Sequence, residues 1–396
     1  VRSIPAFRLV VVLGLGGVAA CEPDEVVDPD APAAEGDEQA YVRELLDLPD
    51  HLEVPYIPDY NPLTPEKIEL GRYLFYDERL SGNGTQACAN CHLQELAFSD
   101  GKSSPQGSTG ETLVRNSPGL ANVAWYSTLT WAHDGMLEME NQLLVPITGD
   151  NPVELGVNDG VQAEVLSRFD DDPTYAGMFA EAFPESESGA TLNKIAYSLA
   201  SFCRSLVSGD SAYDRFVSGD RDALTDQQKS GMTLFNGEKF ECFHCHGGTN
   251  ATGSYRDWRT TADTIQYPFF NTGLYNVDGE GSYPAYDQGL YDVRIDLDLR
   301  GFFRPPSLRN VELTAPYTHD GSIPTLREMV EHYAAGGRVI EDGDYAGDGR
   351  VSPLKSGLIR GFDATDEEID AVVAFLESFT DHTFVENPAH SDPFEE

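Results

Sequence analysis

Cys88-Ala-Asn-Cys91-His92 and Cys242-Phe-His-Cys245-His246 repeat one five-residue pattern and take up four of the chain's six cysteines. Two thiols three positions apart, with a histidine directly after the second, suit covalent attachment of haem c. The thiols add to the two vinyl groups, and the imidazole of His92 or His246 becomes the proximal iron ligand. A zinc half-site or a disulfide pair would use the same cysteines, but no second Cys pair or His-x₃₋₅-His follows either motif to complete a zinc shell. Two covalently bound haem c groups are therefore expected.

The elements around the two motifs repeat as well. Leu63-Thr64-Pro65, then Gly71 and Leu74-Phe75, precede the first motif, and Leu224-Thr225-Asp226, then Gly231 and Leu234-Phe235, precede the second. Thr64 followed by Pro65 and Glu66 predicts a capped helix with Ile68, Tyr73 and Phe75 on its buried face. Downstream, Arg115-Asn116-Ser117-Pro118 leading to His133-Asp134-Gly135 is echoed by Arg304-Pro305-Pro306 leading to His319-Asp320-Gly321. Ile195, Leu199, Phe202 and Leu206 recur at helical spacing between the halves, with Cys203 on the same stripe as a buried core thiol. Thr365-Asp-Glu-Glu368 followed by Ile369, Val372, Val373, Phe375 and Leu376 predicts a second capped, amphipathic helix. Residues 247–300 show no periodicity and predict long loops. The expected fold is mainly α, as two tandem cytochrome c-like haem domains with long loops: 48–212, N-terminal and peroxidatic, and 213–385, C-terminal, followed by a tail, 386–396.

Arg2 and Arg8, the apolar run Leu9–Ala20 and Val18-Ala-Ala-Cys21 read as a lipoprotein signal over 1–20, with Cys21 carrying the lipid. An ordinary signal peptide with an incidental cysteine is the alternative; either implies export, to the periplasm or to an outer-membrane surface. Residues 21–47 begin acidic and rich in Pro and Ala, and read as a disordered tether. Twenty-six basic against 67 acidic residues give a formal charge of −41, which argues against nucleic acid as a partner. No later apolar run is long enough to span a bilayer, so a lipid on Cys21 would be the sole membrane attachment.

With these motifs in place, the chain resembles the bacterial di-haem cytochrome c peroxidase and MauG superfamily over residues 58–385. The resemblance rests on Leu74-Phe75-Tyr76-Asp77 with Leu80-Ser81-Gly82, Arg115-Asn116, Pro152-Val-Glu154-Leu-Gly156, Arg304 through Arg309-Asn310, and above all Leu313-Thr314-Ala-Pro316-Tyr-Thr-His319-Asp-Gly-Ser322. It implies reaction with hydrogen peroxide at the N-terminal haem, with the C-terminal haem as redox partner. It implies Gln142 and Glu154 as distal groups, the carboxylate moving the peroxide proton. It also implies a calcium ion between the halves, held by Asn116 and the carbonyls of Thr314 and Pro316. The faint EF-hand likeness of Asp342-Gly-Asp344-Tyr-Ala-Gly347-Asp348 lacks ligands at positions five and twelve and reads as a turn.

Subtype turns on the sixth iron positions. Peroxidases that need reductive activation close the first haem with a loop histidine; here none occurs between His92 and His133. The family's sixth ligand to the second haem falls on Tyr333, where the peroxidases place Met and MauG-like members place Tyr; His332 and Met329 are the neighbouring alternatives. The resemblance then implies two Fe(IV) centres after peroxide, with Trp131 as inter-haem bridge. Here the chain departs from the family: His133 stands at the usual Trp position, and Met136 replaces the Arg after Asp-Gly. Thr130-Trp131-Ala132 and Pro146–Gly156 look like the MbnH-type branch, which oxidises a Trp of a partner protein in a copper-related pathway. The alternatives are a cytochrome c peroxidase fed by a small cytochrome or cupredoxin, and a non-catalytic electron-transfer cytochrome with both haems six-coordinate.

Overall fold

Thr64, Thr191, Thr225 and Thr365 each stand one residue ahead of a helix and accept, through the side-chain oxygen, the N–H three residues on. Each such cap is worth about 1 kcal/mol. At Thr225 and Thr365 the bond is returned: Gln228 Oε1 and Glu368 Oε2 accept the threonine N–H, both at 2.9 Å. In the computed structural model, which describes residues 36–187 and 189–395, the chain is mainly α-helical. The first half holds α1 (Asp37–Leu45), α2 (Pro65–Tyr76), α3 (Met139–Thr148), α4 (Gln162–Asp170), α5 (Pro173–Ala182) and α6 (Leu192–Ser205). There follow α7 (Ala212–Val217), α8 (Asp226–Phe235), α9 (Phe243–His246), α10 (Tyr291–Arg294), α11 (Leu326–Ala335), α12 (Asp366–Glu377) and α13 (His382–Val385). A short antiparallel ribbon pairs β1 (Val339–Ile340) with β2 (Gly347–Asp348), and the EF-hand-like residues fall at its turn, as expected.

Two helix pairs repeat one packing. At Gly71 of α2 an added Cβ would lie 2.0 Å from Ser198 O and 2.8 Å from Phe202 Cβ of α6; at Gly231 of α8 it would lie 1.8 Å from Ala371 O and 2.8 Å from Phe375 Cβ of α12. Only glycine lets the backbones approach so closely. Beside each contact two aromatic rings meet, Phe75 with Phe202 at 5.1 Å and Phe235 with Phe375 at 5.3 Å. Burying each ring contributes roughly 1.5–3 kcal/mol. Ile195, Leu199, Phe202 and Leu206 are fully buried as expected, with Cys203 beside them. On α2 the expected face is rotated slightly: Phe75 is buried with Leu70 and Leu74, while Ile68 and Tyr73 sit half-buried at its margin.

The repeat extends to two buried asparagines in the left-handed region, Asn122 (φ 55°) and Asn310 (φ 56°), each opening a 3₁₀ turn. Asn122 donates to Ser208 O and Asn310 to Ser208 Oγ, so the linker after α6 is held from both halves. Residues 247–300 are mostly irregular, as expected, with α10 and a 3₁₀ turn at Leu297–Leu299 their helical pieces.

Two boundaries need correction. The expected tether, 21–47, is helical in its last part: α1 places Val42 and then Leu46 in a cluster with Leu48, Leu52, Leu63 and Trp125. Tyr41, Val42, Leu45 and Leu46 supply an apolar stripe that the acidic residues before it conceal. The signal segment and Cys21 lie outside the described residues. The tail 386–396 is not loose either. His390 is buried, its Nε2 sits 3.1 Å from Ser205 O, and its carbonyl accepts the Tyr76 hydroxyl at 2.7 Å. Phe384, assigned to the second half, packs against Phe98 of the first, ring centroids 5.7 Å apart.

Candidate functional site

Both Cys-x-x-Cys-His segments coil tightly, so that the His92 N–H reaches Cys88 O at 3.0 Å and the His246 N–H reaches Cys242 O at 2.9 Å. Each imidazole is then fixed from behind. His92 Nδ1 lies 2.7 Å from Phe98 O, and His246 Nδ1 lies 3.3 Å from Ala251 O. Both acceptors belong to residues with positive φ, 63° at Phe98 and 46° at Ala251, which turns their carbonyls back toward the rings. A proton held on Nδ1 by a carbonyl leaves Nε2 as the lone-pair atom, the arrangement a metal-ligating histidine requires. Burial lowers the His92 imidazole pKa and brings His246 down to about 4, which favours the neutral ring at both. The described cysteines form no disulfide, and burial pushes Cys91 and Cys245 up to about 11. Free thiols beside neutral, back-bonded histidines fit covalent haem c at both motifs.

On the first side, Glu154 comes within electrostatic reach of both Cys88 and Cys91. Burial alone raises its pKa, and among the described residues its carboxylate has no ion-pair or hydrogen-bond partner. The surface salt-bridge role is therefore absent there. Its segment folds back on α3, where Leu155 N–H donates to Pro146 O at 2.9 Å. Gln142, half-buried, stands one turn earlier on the same helix.

On the second side, a cavity of about 480 Å³ is lined by Cys242, Cys245, His246, Met329 and Tyr333 together. Met329 and Tyr333 share one face of α11. His332 is turned elsewhere, its Nε2 3.1 Å from Thr272 O. Burial, then the nearby Cys245 and Cys242 thiols, push the Tyr333 phenol pKa well up. Among the described residues the Tyr333 hydroxyl has no hydrogen-bond partner, so it is free to meet a cation in the cavity. Trp131, Asn116, Thr314 and Pro316 line the same cavity. Trp131 Nε1 donates to Asn116 O at 2.9 Å, and Asn116 Nδ2 donates to Lys102 O at 2.6 Å. That bond commits the amide nitrogen and leaves Oδ1 as the acceptor that a hard cation would use.

Sequence reasoning did not foresee the contacts made at and beside this cavity. Arg115 grips the buried Asp287 through two bonds of 2.7 and 2.8 Å, joining residues 172 positions apart. His319 stacks on Phe303, centroids 3.7 Å apart, and the Arg304 guanidinium lies 4.0 Å from the Tyr126 ring centre. The one available signal was the recurrence of Arg115 and Arg304 in the echoed segments.

The chain is similar to known proteins along most of its length. The profile of the di-haem cytochrome c peroxidase family matches residues 65–222. The methylamine utilization protein MauG of Methylorubrum extorquens is 33% identical over 326 residues, 82% of this chain and 81% of that protein. The cytochrome-c peroxidase IdrP1 of a Pseudomonas species is 33% identical over 350 residues, 85% of this chain and 86% of that protein. Among solved structures, a MauG-like protein associated with microbial copper homeostasis superposes with a TM-score of 0.86 at 46% identity, covering 88% of this chain and 99% of that one.

Proposed function

Because the chain belongs to the di-haem cytochrome c peroxidase and MauG family of peroxide-reacting oxidoreductases, we propose that it consumes hydrogen peroxide to oxidise an aromatic side chain, a tryptophan, of a partner protein. Each helix pair with its Cys-x-x-Cys-His segment forms one cytochrome c-like unit, 48–212 and 213–385, with α1 and the residues after 385 completing the first. His92 would hold the first haem iron, and His246 with Tyr333 would hold the second. Haems held there would supply the two electrons that O–O cleavage requires. Glu154 takes the proton from the peroxide oxygen that stays and returns it to the one that leaves, and Gln142 orients the peroxide. Trp131, in the wall of the second cavity, would be the bridge between the haems. Asn116 with the carbonyls of Thr314 and Pro316 holds Ca²⁺ and fixes the two units relative to each other.

One observation carries the reading: among the described residues, a phenol without a hydrogen-bond partner lines the cavity of the second motif, while a carboxyl without a partner lies near the cysteines of the first. A hard phenolate favours oxidised iron, whereas a thioether would favour the reduced form. We read the chain as a member of the MbnH-type branch from Thr130-Trp131-Ala132 and Pro146–Gly156, a reading in keeping with its 46% likeness to a MauG-like protein associated with copper homeostasis, and as exported and lipid-anchored at Cys21 from the Val18-Ala-Ala-Cys21 segment alone. The test is one equivalent of peroxide added to the diferric protein. A state two electrons above the diferric level is expected in the wild type and its loss in Tyr333→Phe; an identical state in that variant would overturn the reading. The likeness to IdrP1 favours the second reading, a peroxidase fed by a small redox protein, which predicts steady peroxide turnover with such a donor outpacing protein oxidation.

A further inference from the structure

Four tyrosines stand in ring contact between the second cavity and the surface, and no role yet described uses them. Tyr283 is buried and forms part of the cavity wall. Its ring meets Tyr275 at 5.3 Å; Tyr275 meets Tyr345 at 6.2 Å; Tyr345 meets Tyr286 at 5.8 Å. Tyr345 is 38% exposed and Tyr286 53%. Such an unbroken run of oxidisable rings, from the cavity outward, is more than packing requires, since its last member leaves about half of its surface in solvent.

The hydroxyl partners assign different duties along the run. Tyr283 donates to the amide oxygen of Asn271 at 3.1 Å and accepts from Leu274 N at 3.2 Å, so no base is at hand to take its proton. Tyr275 donates to the carboxylate of Asp320 at 2.6 Å. Although burial works against its charge, Asp320 is kept below the ordinary carboxylate range by His319 and by donors from Thr318, Tyr275 and Ser322, so it is ionised and able to accept. The Arg338 guanidinium lies 4.6 Å from the centre of the Tyr275 ring, and a cation there penalises a positively charged ring. Oxidation of Tyr275 must therefore proceed with loss of its proton.

We propose that Tyr275, with Asp320 as its proton acceptor, is the relay through which oxidising equivalents leave the second haem for Tyr345 and Tyr286, where the partner's aromatic side chain is oxidised. In each transfer one electron passes from Tyr275, across Tyr283, to the oxidised haem centre, and the phenol proton moves to Asp320, leaving a neutral tyrosyl radical. An electron from Tyr345, and in turn from Tyr286 and the partner, restores Tyr275 as the proton returns from Asp320; the outer phenols release and regain theirs to solvent. Two such transfers balance one hydrogen peroxide, which takes up two electrons and two protons to give two waters. The relay rests on the peroxide reading above and adds its exit.

The experiment treats the holoprotein, without a partner, with one equivalent of peroxide and a nitroso spin trap, and locates trapped tyrosines by peptide mass spectrometry, counted per haem oxidised optically. Wild type is expected to carry the adduct on Tyr286 and Tyr345. Tyr275→Phe, which keeps the ring packing, and Asp320→Asn, which keeps the shape but removes the base, are each expected to lower that yield at least tenfold. Full labelling of Tyr286 and Tyr345 in both variants, or labelling of other tyrosines alone in the wild type, would overturn the relay while leaving the peroxide reading intact. Absence of any optical change in the wild type would remove both.

Discussion

Glu154 and Tyr333 are half-buried polar groups whose side chains have no hydrogen-bond partner among the described residues, and each lies near a motif whose histidine is fixed from behind. A buried carboxyl with no compensating donor is costly unless the missing partner is the ligand it serves. Because burial alone raises its pKa, the ionised form needed to take a proton from peroxide is lost as the pH falls through a value above the ordinary carboxylate range. Stopped-flow rates of peroxide reaction should therefore show an acid limb displaced upward from about pH 4. Glu154→Gln should slow the reaction by about 10²–10⁴-fold and abolish that limb. At this scale the sequence was most legible where covalent chemistry dictates residue type and spacing within a few positions, as in the two Cys-x-x-Cys-His segments. The carbonyls of Phe98 and Ala251, which orient the two imidazoles, were not. A backbone acceptor has no side-chain signature, and positive φ at a phenylalanine is imposed by packing rather than by propensity.

Gly71 and Gly231 show why the helix pairs could be read as a repeat: at both, the neighbouring helix backbone occupies the space of a side chain. Gly71→Ala and Gly231→Ala should each cost about 1–3 kcal/mol or more through overpacking, visible as a lower urea midpoint. The two should differ in location, with Gly71→Ala disturbing the spectrum of the first haem and Gly231→Ala that of the second. The capping threonines and the stripe on α6 were legible because they are local signals. By contrast, α1 was hidden: Asp37 and Glu38 open it, and so continue the acidic run, although Val42 and Leu46 bury against Leu48 and Leu52. Leu46→Ala should cost about 2–5 kcal/mol in the same urea assay, whereas a tether would show no change.

Across the whole molecule, buried arginine–carboxylate pairs hold distant segments together: Arg204 with Glu140, Arg309 with Asp214 and Arg115 with Asp287. In all three, burial works against the carboxylate charge, but the arginine and the donors around it keep the pKa depressed. Groups of this kind lend stability that is present above the ordinary carboxylate pKa and is lost as the pH falls through the depressed folded value. Urea midpoints should hold down to about pH 5 and drop steeply below about pH 4. Removing one partner leaves a buried charge, so Arg204→Ala should cost about 3–5 kcal/mol. These pairings, like the return of Phe384 and His390 to the first half, join positions too far apart for any periodicity to announce. The proposed asymmetry, an open first site and a tyrosine-capped second one, is the claim on which the rest depends. Low-temperature electron paramagnetic resonance of the diferric protein tests it most directly. One high-spin and one low-spin haem are predicted, the low-spin signal being lost in Tyr333→Phe; two low-spin haems, or a low-spin signal untouched by that substitution, would contradict it.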